Sequence, residues 1–213
     1  SLNQFFSALT PLDYLFDPKV IYDQYENRFV VVSLDVVDTA TNPSVSNKSR
    51  ILLAVSKNAA PAGATSADWY FIAINSEESI GGVDHWADYP GFAVDEEAVY
   101  ITANMFAHTT GTSNGQRLWI VDKGLSSGFY SGAAASVARY NPYTVSGTKV
   151  TTMPAKVFGT GGAGSTLGTY LVGYSGLSSG TTGHEFVQIT RIDSPLSTPT
   201  FTVVQIDIGD IET

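Results

Sequence analysis

Short apolar runs alternate with polar loops along the chain. The first run, Val20–Asp23, is followed after a polar turn by Arg28–Val36, and two β-branched and aromatic runs around a turn predict a hairpin. Two further runs, Arg50–Ser56 and Asp68–Asn75, have the same character. No segment shows helical periodicity over about 11 or more positions. The pattern therefore predicts four short strands in the first 75 or so residues.

The same pattern recurs further along the chain. Pro18 and Pro90 are each followed five residues later by an aspartate, Asp23 and Asp95. A third unit around and after Pro154 is weaker. A unit of roughly 65 to 70 residues with up to four strands is typical of a β-propeller blade. The predicted blades span residues 12–80, 84–145 and 150–210.

The predicted fold class is all-β and β-propeller-like, with about three four-stranded antiparallel blades in one segment over residues 1–213. One small sheet cannot bury both of its faces, so each blade needs a neighbour. Propellers use at least about four blades, so three predict a fragment of a larger propeller. The alternative is a β-sandwich whose strands resemble one another by chance. The irregular stretch 124–143 predicts either a short strand or one helical turn.

Composition narrows the classes of partner. Apolar residues make up 43% and charged residues 15% of the chain, against about 25% charged in typical domains. The net charge of −9 disfavours nucleic acid and anionic membranes. With no cysteine, disulfides and Cys-based zinc sites are excluded. The apolar runs are far shorter than the roughly 18 residues of a spanning helix, so no membrane-spanning segment is predicted.

The densest group of functional side chains lies in the segment VDHWADY. Its candidate ligand-binding residues are Asp84, His85, Trp86, Asp88 and Tyr89. Asp and His are cation ligands, and exposed Trp and Tyr stack on the apolar face of a sugar ring. The alternative is a structural loop whose Trp is buried between blades. The metal is left open, and no cofactor is predicted beyond calcium as an open alternative.

Two aspartates near strand starts are candidates for catalysis. Glycoside hydrolysis needs one protonated and one ionised carboxyl group facing each other across the scissile bond. The innermost strands of adjacent blades would bring Asp17 and Asp88 toward one another. The structural alternative is that each aspartate accepts backbone N–H bonds and fixes a turn. Asp23 and Asp95 are predicted to close hairpin turns in this way.

The segments FDPKVIYDQYENRFVVVS, LLAVS and DYPGFAVDEEAVYITAN resemble repeat units of bacterial exported β-propeller proteins, over roughly residues 12 to 123. This resemblance implies an extracellular or bacterial cell-surface location. A narrower similarity is to arabinanase- and xylosidase-type five-bladed glycoside hydrolases. It implies that Asp17 is the base and Asp88 the neighbour that tunes its pKa. The general acid of that family is a glutamate in a Glu-Gly-Pro setting, which this chain lacks, and Glu185 is a poor substitute.

Two functional hypotheses follow. The favoured one is a non-catalytic propeller segment that binds a carbohydrate or protein partner, or serves as a scaffold together with the remainder of a longer propeller chain. The alternative is a glycoside hydrolase that acts on polysaccharide through Asp17 and Asp88. No nucleophile constellation adds a third.

Overall fold

The structure, a computed structural model, describes residues 1–39, 44, 46–142, 151–156, 158, 167–175 and 185–209. The helical structure includes one helix, α1 (Leu2–Phe5), and 3₁₀ turns at Ser7–Leu9 and Phe129–Ser131. Strands make up nearly all other regular structure. The all-β class expected from the alternating pattern is therefore confirmed.

The strands form three sheets of antiparallel neighbours. The first sheet contains β1 (Tyr14–Asp23), β2 (Arg28–Val37), β3 (Lys48–Ser56) and β4 (Trp69–Asn75). The second contains β5 (Glu78–Ile80), β6 (Val83–Val94), β7 (Ala98–Ala107), β8 (Ser113–Asp122) and β9 (Val137–Tyr140). The third contains β10 (Met153–Pro154), β11 (Leu167–Ser175), β12 (Glu185–Asp193) and β13 (Thr200–Gly209). In each sheet the strand order follows the chain order.

Three sheets, rather than two facing ones, make up the described chain, so the two-sheet sandwich considered above does not describe it. The second sheet has five strands where four were expected. Its extra strand β5 pairs with β6 through Ile80 and Val83, so the boundary expected between residues 80 and 84 cuts a hairpin. The segment ASVARY supplies β9, the strand alternative rather than the helical turn.

The three sheets stack face to face. In the first sheet, the face that carries Val30 and Val32 is called the back face. In the second sheet, the face that carries Val99 and Ile101 is called the front face. These two faces share one apolar cluster. The back face of the second sheet, with Tyr100, packs on the third sheet in a separate cluster. In both contacts, the back face of one sheet packs on the front face of the next, so the arrangement is head to tail.

Strand β7 shows why the sequence folds this way. Its residues alternate between the two clusters, with Val99 and Ile101 on the front face and Ala98 and Tyr100 on the back. Nine of its ten positions are buried. A strand buried on both faces reads as a nearly continuous apolar run instead of a polar–apolar alternation. AVYITANMFA has this character.

An N-terminal segment covers the front face of the first sheet. The Ser1 side chain accepts a hydrogen bond from the Gln4 amide and caps α1. Phe6 is fully buried in a cluster with Leu52, Ala54 and Trp69, and Phe5 meets the Trp69 ring edge-on at 5.1 Å. The first sheet is therefore covered on both faces. Among the described residues, no helix is long and apolar enough to cross a bilayer.

Candidate functional site

Strands β1 and β6 lie next to each other, and each contains a β-bulge in front of a proline. The pairing of β1 with β2 shifts between Phe16 and Lys19, and that of β6 with β7 shifts between Asp88 and Gly91. Asp17 and Tyr89 stand at the bulges with φ of 47° and 55°. Left-handed backbone is uncommon in residues other than glycine, least so in Asp and Asn. Such positions cluster at binding and catalytic sites.

Asp17 and Asp88, which lie at the two bulges, interact electrostatically. Burial raises the pKa of the half-buried Asp88 carboxyl, and the negative charge of Asp17 raises that pKa further. The backbone N–H of Tyr89 donates to Asp88 Oδ1 at 2.7 Å and acts in the opposite direction. Asp88 therefore keeps its proton to a higher pH than an ordinary aspartate.

A cation and an exposed ring lie at the same bulges. Lys19 Nζ lies 5.1 Å from the centre of the Tyr89 ring. Tyr89 is 51% exposed. An ammonium group over an aromatic face is stabilised by the negative face of the ring. The contact links β1 to β6 beside the carboxylates.

Four aromatic side chains form a row that starts from the same strands. Tyr14 and Phe16 stack with ring centres 5.5 Å apart and planes at 17°. Phe16 meets Trp86 edge-on at 5.8 Å, and Trp86 lies 5.8 Å from Phe106. Tyr14 is 64% exposed and the other three are partly buried. We call this set the aromatic row.

The aromatic row and the bulge residues make up the inner-edge site. Trp86 and Asp88 are two positions apart on β6, so their side chains lie on the same face. On β1, Phe16 directly precedes Asp17. The members of the site are Tyr14, Phe16, Asp17, Lys19, Trp86, Asp88, Tyr89 and Phe106. The sequence identified four of them. A strand reading of YLFD, with aromatics at alternate positions, would have indicated Tyr14 and Phe16.

The structure separates His85 from the other members of the predicted cluster. Because β6 starts at Val83, neighbouring side chains point to opposite faces. His85 is fully buried, and its Nδ1 lies 2.7 Å from the Val83 carbonyl oxygen. Its Nε2 bonds the Asn114 amide nitrogen, which can only donate, so Nδ1 carries the proton and donates. With both nitrogens engaged, His85 is a packed core histidine and not a ligand.

Asp84 lies at a different place, in an open cleft of about 510 Å³. The cleft is also lined by Glu77, whose pKa is raised by burial and then by the charge of Asp84. The Asp84 carbonyl accepts from the His108 amide at 3.0 Å, and His108 Nδ1 lies 3.3 Å from Asp38 Oδ2. No group of three or more metal-ligating side chains occurs among the residues that the structure describes.

Asp23 and Asp95 close turns, as predicted. Asp23 Oδ1 accepts from the amides of Tyr25 and Glu26, and Asp95 Oδ1 accepts from those of Glu97 and Ala98. Their second oxygens accept from the Tyr130 and Tyr100 hydroxyls, respectively. Burial first, and then the neighbouring carboxylate, raises the pKa of both tyrosines. The hydroxyls therefore stay protonated and donate.

Glu185, the substitute acid implied by the resemblance, lies outside the inner-edge site. It is buried at the start of β12, and β11 separates that strand from β10 in the third sheet. β10 packs on β6, and Glu185 lies two strands further along the third sheet. His184 lies outside the described residues.

We compared the chain with protein-family models, curated proteins and solved structures, and none of the three comparisons gave a significant match.

Proposed function

We propose that the chain is a non-catalytic, propeller-type scaffold that binds a carbohydrate at the inner-edge site. The observation that carries this proposal is the aromatic row beside a carboxylate whose pKa is raised. Sugar rings present an apolar face of C–H groups, which packs on exposed aromatic rings. Their hydroxyls pair with carboxylates and amines, here Asp17, Asp88 and Lys19. The site therefore offers a sugar both an aromatic surface and polar groups.

The propeller-type architecture is part of the proposal. Three consecutive antiparallel sheets stack back face on front face, and β1, β6 and β10 contact one another in sequence along one side. Innermost strands of neighbouring propeller blades lie together in this way. The resemblance to bacterial exported repeat units supports an extracellular or cell-surface location. Fractionation of the source cells, with the chain found outside the cytoplasm, is the corresponding measurement.

The binding test uses two exposed tyrosines on the same strand. Tyr14→Ala removes the exposed end of the aromatic row, whereas Tyr22→Ala removes a ring at the other end of β1, where it packs on Phe29. We expect a glycan screen of the wild-type chain to give ligands, and Tyr14→Ala to weaken them about 10-fold. Tyr22→Ala should leave affinity unchanged. Equal losses in both variants, or no glycan bound by the wild type, would contradict the proposal.

A glycoside hydrolase is the second candidate, and the raised pKa of Asp88 beside Asp17 favours it. Such enzymes need one protonated carboxyl and one ionised carboxyl at the same bond. The test is Asp88→Asn on any glycan that the screen identifies. If the wild type cleaves it and the variant binds but no longer cleaves, the site is catalytic. If the wild type binds without turnover, the scaffold function holds.

A further inference from the structure

The back face of the third sheet is an exposed apolar surface. Two rows of side chains cross it in register, Val172–Ile189–Val204 on one line and Tyr174–Val187–Ile206 on the next. Val204 is 53% and Ile206 is 47% exposed. Soluble proteins rarely expose a large contiguous apolar surface, and where they do it often marks an interaction site.

The other two sheets show what such a face does in this fold. The back face of the first sheet is buried on the second, and the back face of the second is buried on the third. In the third sheet, Leu171 and Ile192 face the second sheet, so the two rows occupy its back face. The surface therefore continues a series of interfaces already present in the molecule.

A second copy of the chain cannot extend the stack head to tail. The front face of the first sheet, which would receive it, is covered by Phe5, Phe6 and Leu9 of the N-terminal segment. Two copies can bury the exposed back faces only by placing them against each other about a two-fold axis. Such an interface is closed, and it is the commonest symmetry of soluble oligomers.

Charge favours the same arrangement. The whole chain carries a net charge of −9, which opposes self-association. On the exposed part of the back face, Arg191 and Asp193 pair with each other at 2.8 Å. Strand alternation places Glu185 on the same face, but this carboxylate is buried. The exposed charges of the face are therefore formally neutral. Two acidic copies approach there without like charges meeting.

We propose that the chain forms a dimer in which the back faces of the two third sheets pack against each other. Sheets packed in this manner stand about 10 Å apart with interdigitated side chains. The rows through Val204 and Ile206 lie at the centre of the interface. This inference is independent of the inner-edge site, which is built from the first and second sheets.

The first test is the mass of the full chain in solution between about 1 and about 200 µM. We expect twice the 22.7 kDa of one chain at the higher concentrations. Val204→Glu should raise the dissociation constant at least about 30-fold, because two unpaired carboxylates would be buried at the interface. The matched control is Val20→Glu, because Val20 is a strand valine of the first sheet that is at least as exposed as Val204. It should leave the dimer intact.

A second measurement guards against misfolding of Val204→Glu. The chain contains no cysteine, so Ile206→Cys and Val20→Cys each introduce a single thiol. Alkylation of the thiol at position 206 should slow as concentration rises, and alkylation at position 20 should not. A wild-type chain that stays monomeric at about 200 µM, or a dimer that both glutamate variants affect equally, would overturn the proposal. In either case another occupant, such as a further sheet of a longer chain, would have to cover the face.

Discussion

The first and second sheets share several structural features but differ in the residues at their bulges. Each has a bulge before a proline, a residue with positive φ, and a turn aspartate that bonds a buried tyrosine hydroxyl. The bulge residue is Asp17 in one sheet and Tyr89 in the other. The first paired residue after the bulge is Lys19 in one and Gly91 in the other. Shared positions maintain the sheet, whereas the differing ones make contacts specific to each.

The two turn aspartates differ in whether their hydrogen bonds stay within one sheet or link two sheets. Asp95 and Tyr100 belong to the same sheet, so their bond stays within it. Asp23 instead accepts from Tyr130, which follows the second sheet's β8, and pairs with Lys123 Nζ at 2.7 Å. Asp23 and Lys123 are both almost fully buried. The same turn residue thus ties two sheets together in one case and supports a single hairpin in the other.

The largest expected effect comes from removing the charge of Asp23. Asp23→Asn leaves the Lys123 ammonium buried without a counterion, which should lower the free energy of unfolding by about 3–5 kcal/mol. Asp95→Asn keeps the backbone acceptor and weakens only the bond to Tyr100, so about 1–2 kcal/mol is expected. Urea unfolding followed by Trp fluorescence measures both.

The double variant Asp23→Asn/Lys123→Met separates the ion pair from the turn. With the ammonium gone, it should recover most of the stability that Asp23→Asn loses, since buried pairs are often replaceable by apolar side chains. A double variant no more stable than Asp23→Asn would mean that the turn bonds of Asp23, not its ion pair, are responsible.

The framework could be predicted from the sequence because long strands have strong signals. The predicted strands Arg28–Val36 and Arg50–Ser56 lie within one or two residues of the observed β2, Arg28–Val37, and β3, Lys48–Ser56. The strands Glu78–Ile80 and Val137–Tyr140 are too short for any periodicity to show. The helix Leu2–Phe5 is a single turn, and its packing on Trp69 depends on tertiary contacts that no local pattern contains.

The candidate site was only partly predictable, for a different reason. VDHWADY predicts a candidate site because its functional side chains are close together in the sequence. It belongs to β6, where alternation sends His85 into the core and leaves Trp86 and Asp88 together. Side chains that join from another strand, such as Phe16 and Phe106, depend on strand pairing and stacking that composition does not reveal.

A smaller effect is expected at the residue after each bulge. A Cβ on Gly91 would lie 2.2 Å from Thr102 Oγ1 and 2.7 Å from Pro154 Cδ, where β10 packs on β6. Gly91→Ala should therefore lower stability by about 1–3 kcal/mol through overpacking. Lys19 occupies the corresponding place in the first sheet, and Lys19→Ala should change stability by less than about 0.5 kcal/mol. Thermal unfolding of the two variants measures the difference, and equal losses would show that the third sheet does not depend on close approach at Gly91.

The smallest effect concerns Asp88 and depends on pH. Folding raises the pKa of this carboxyl, so the folded chain holds the proton to a higher pH than the unfolded chain does. The contribution of Asp88 to stability therefore falls as pH rises from the ordinary value of about 3.9 through the raised pKa, and stays lower above it. Asp88→Asn cannot ionise and avoids this loss. The variant should be slightly more stable than the wild type near neutral pH, and the difference should vanish in acid.

Urea unfolding at about pH 3.5 and about pH 7.5 provides the measurement. Asp13→Asn is the control, since Asp13 is exposed and lies just before β1. Asp17→Asn sharpens the comparison of the two bulges, because it removes the charge that raises the pKa of Asp88 while keeping a residue that tolerates positive φ. Asp17→Asn should therefore show part of the increase in stability near neutral pH that is expected of Asp88→Asn. The opposite result would be an Asp88→Asn variant that, relative to the wild type, is less stable at neutral pH than in acid. The fold would then favour the ionised carboxylate. In that case Asp88 would be a structural hydrogen-bond acceptor and not a site residue.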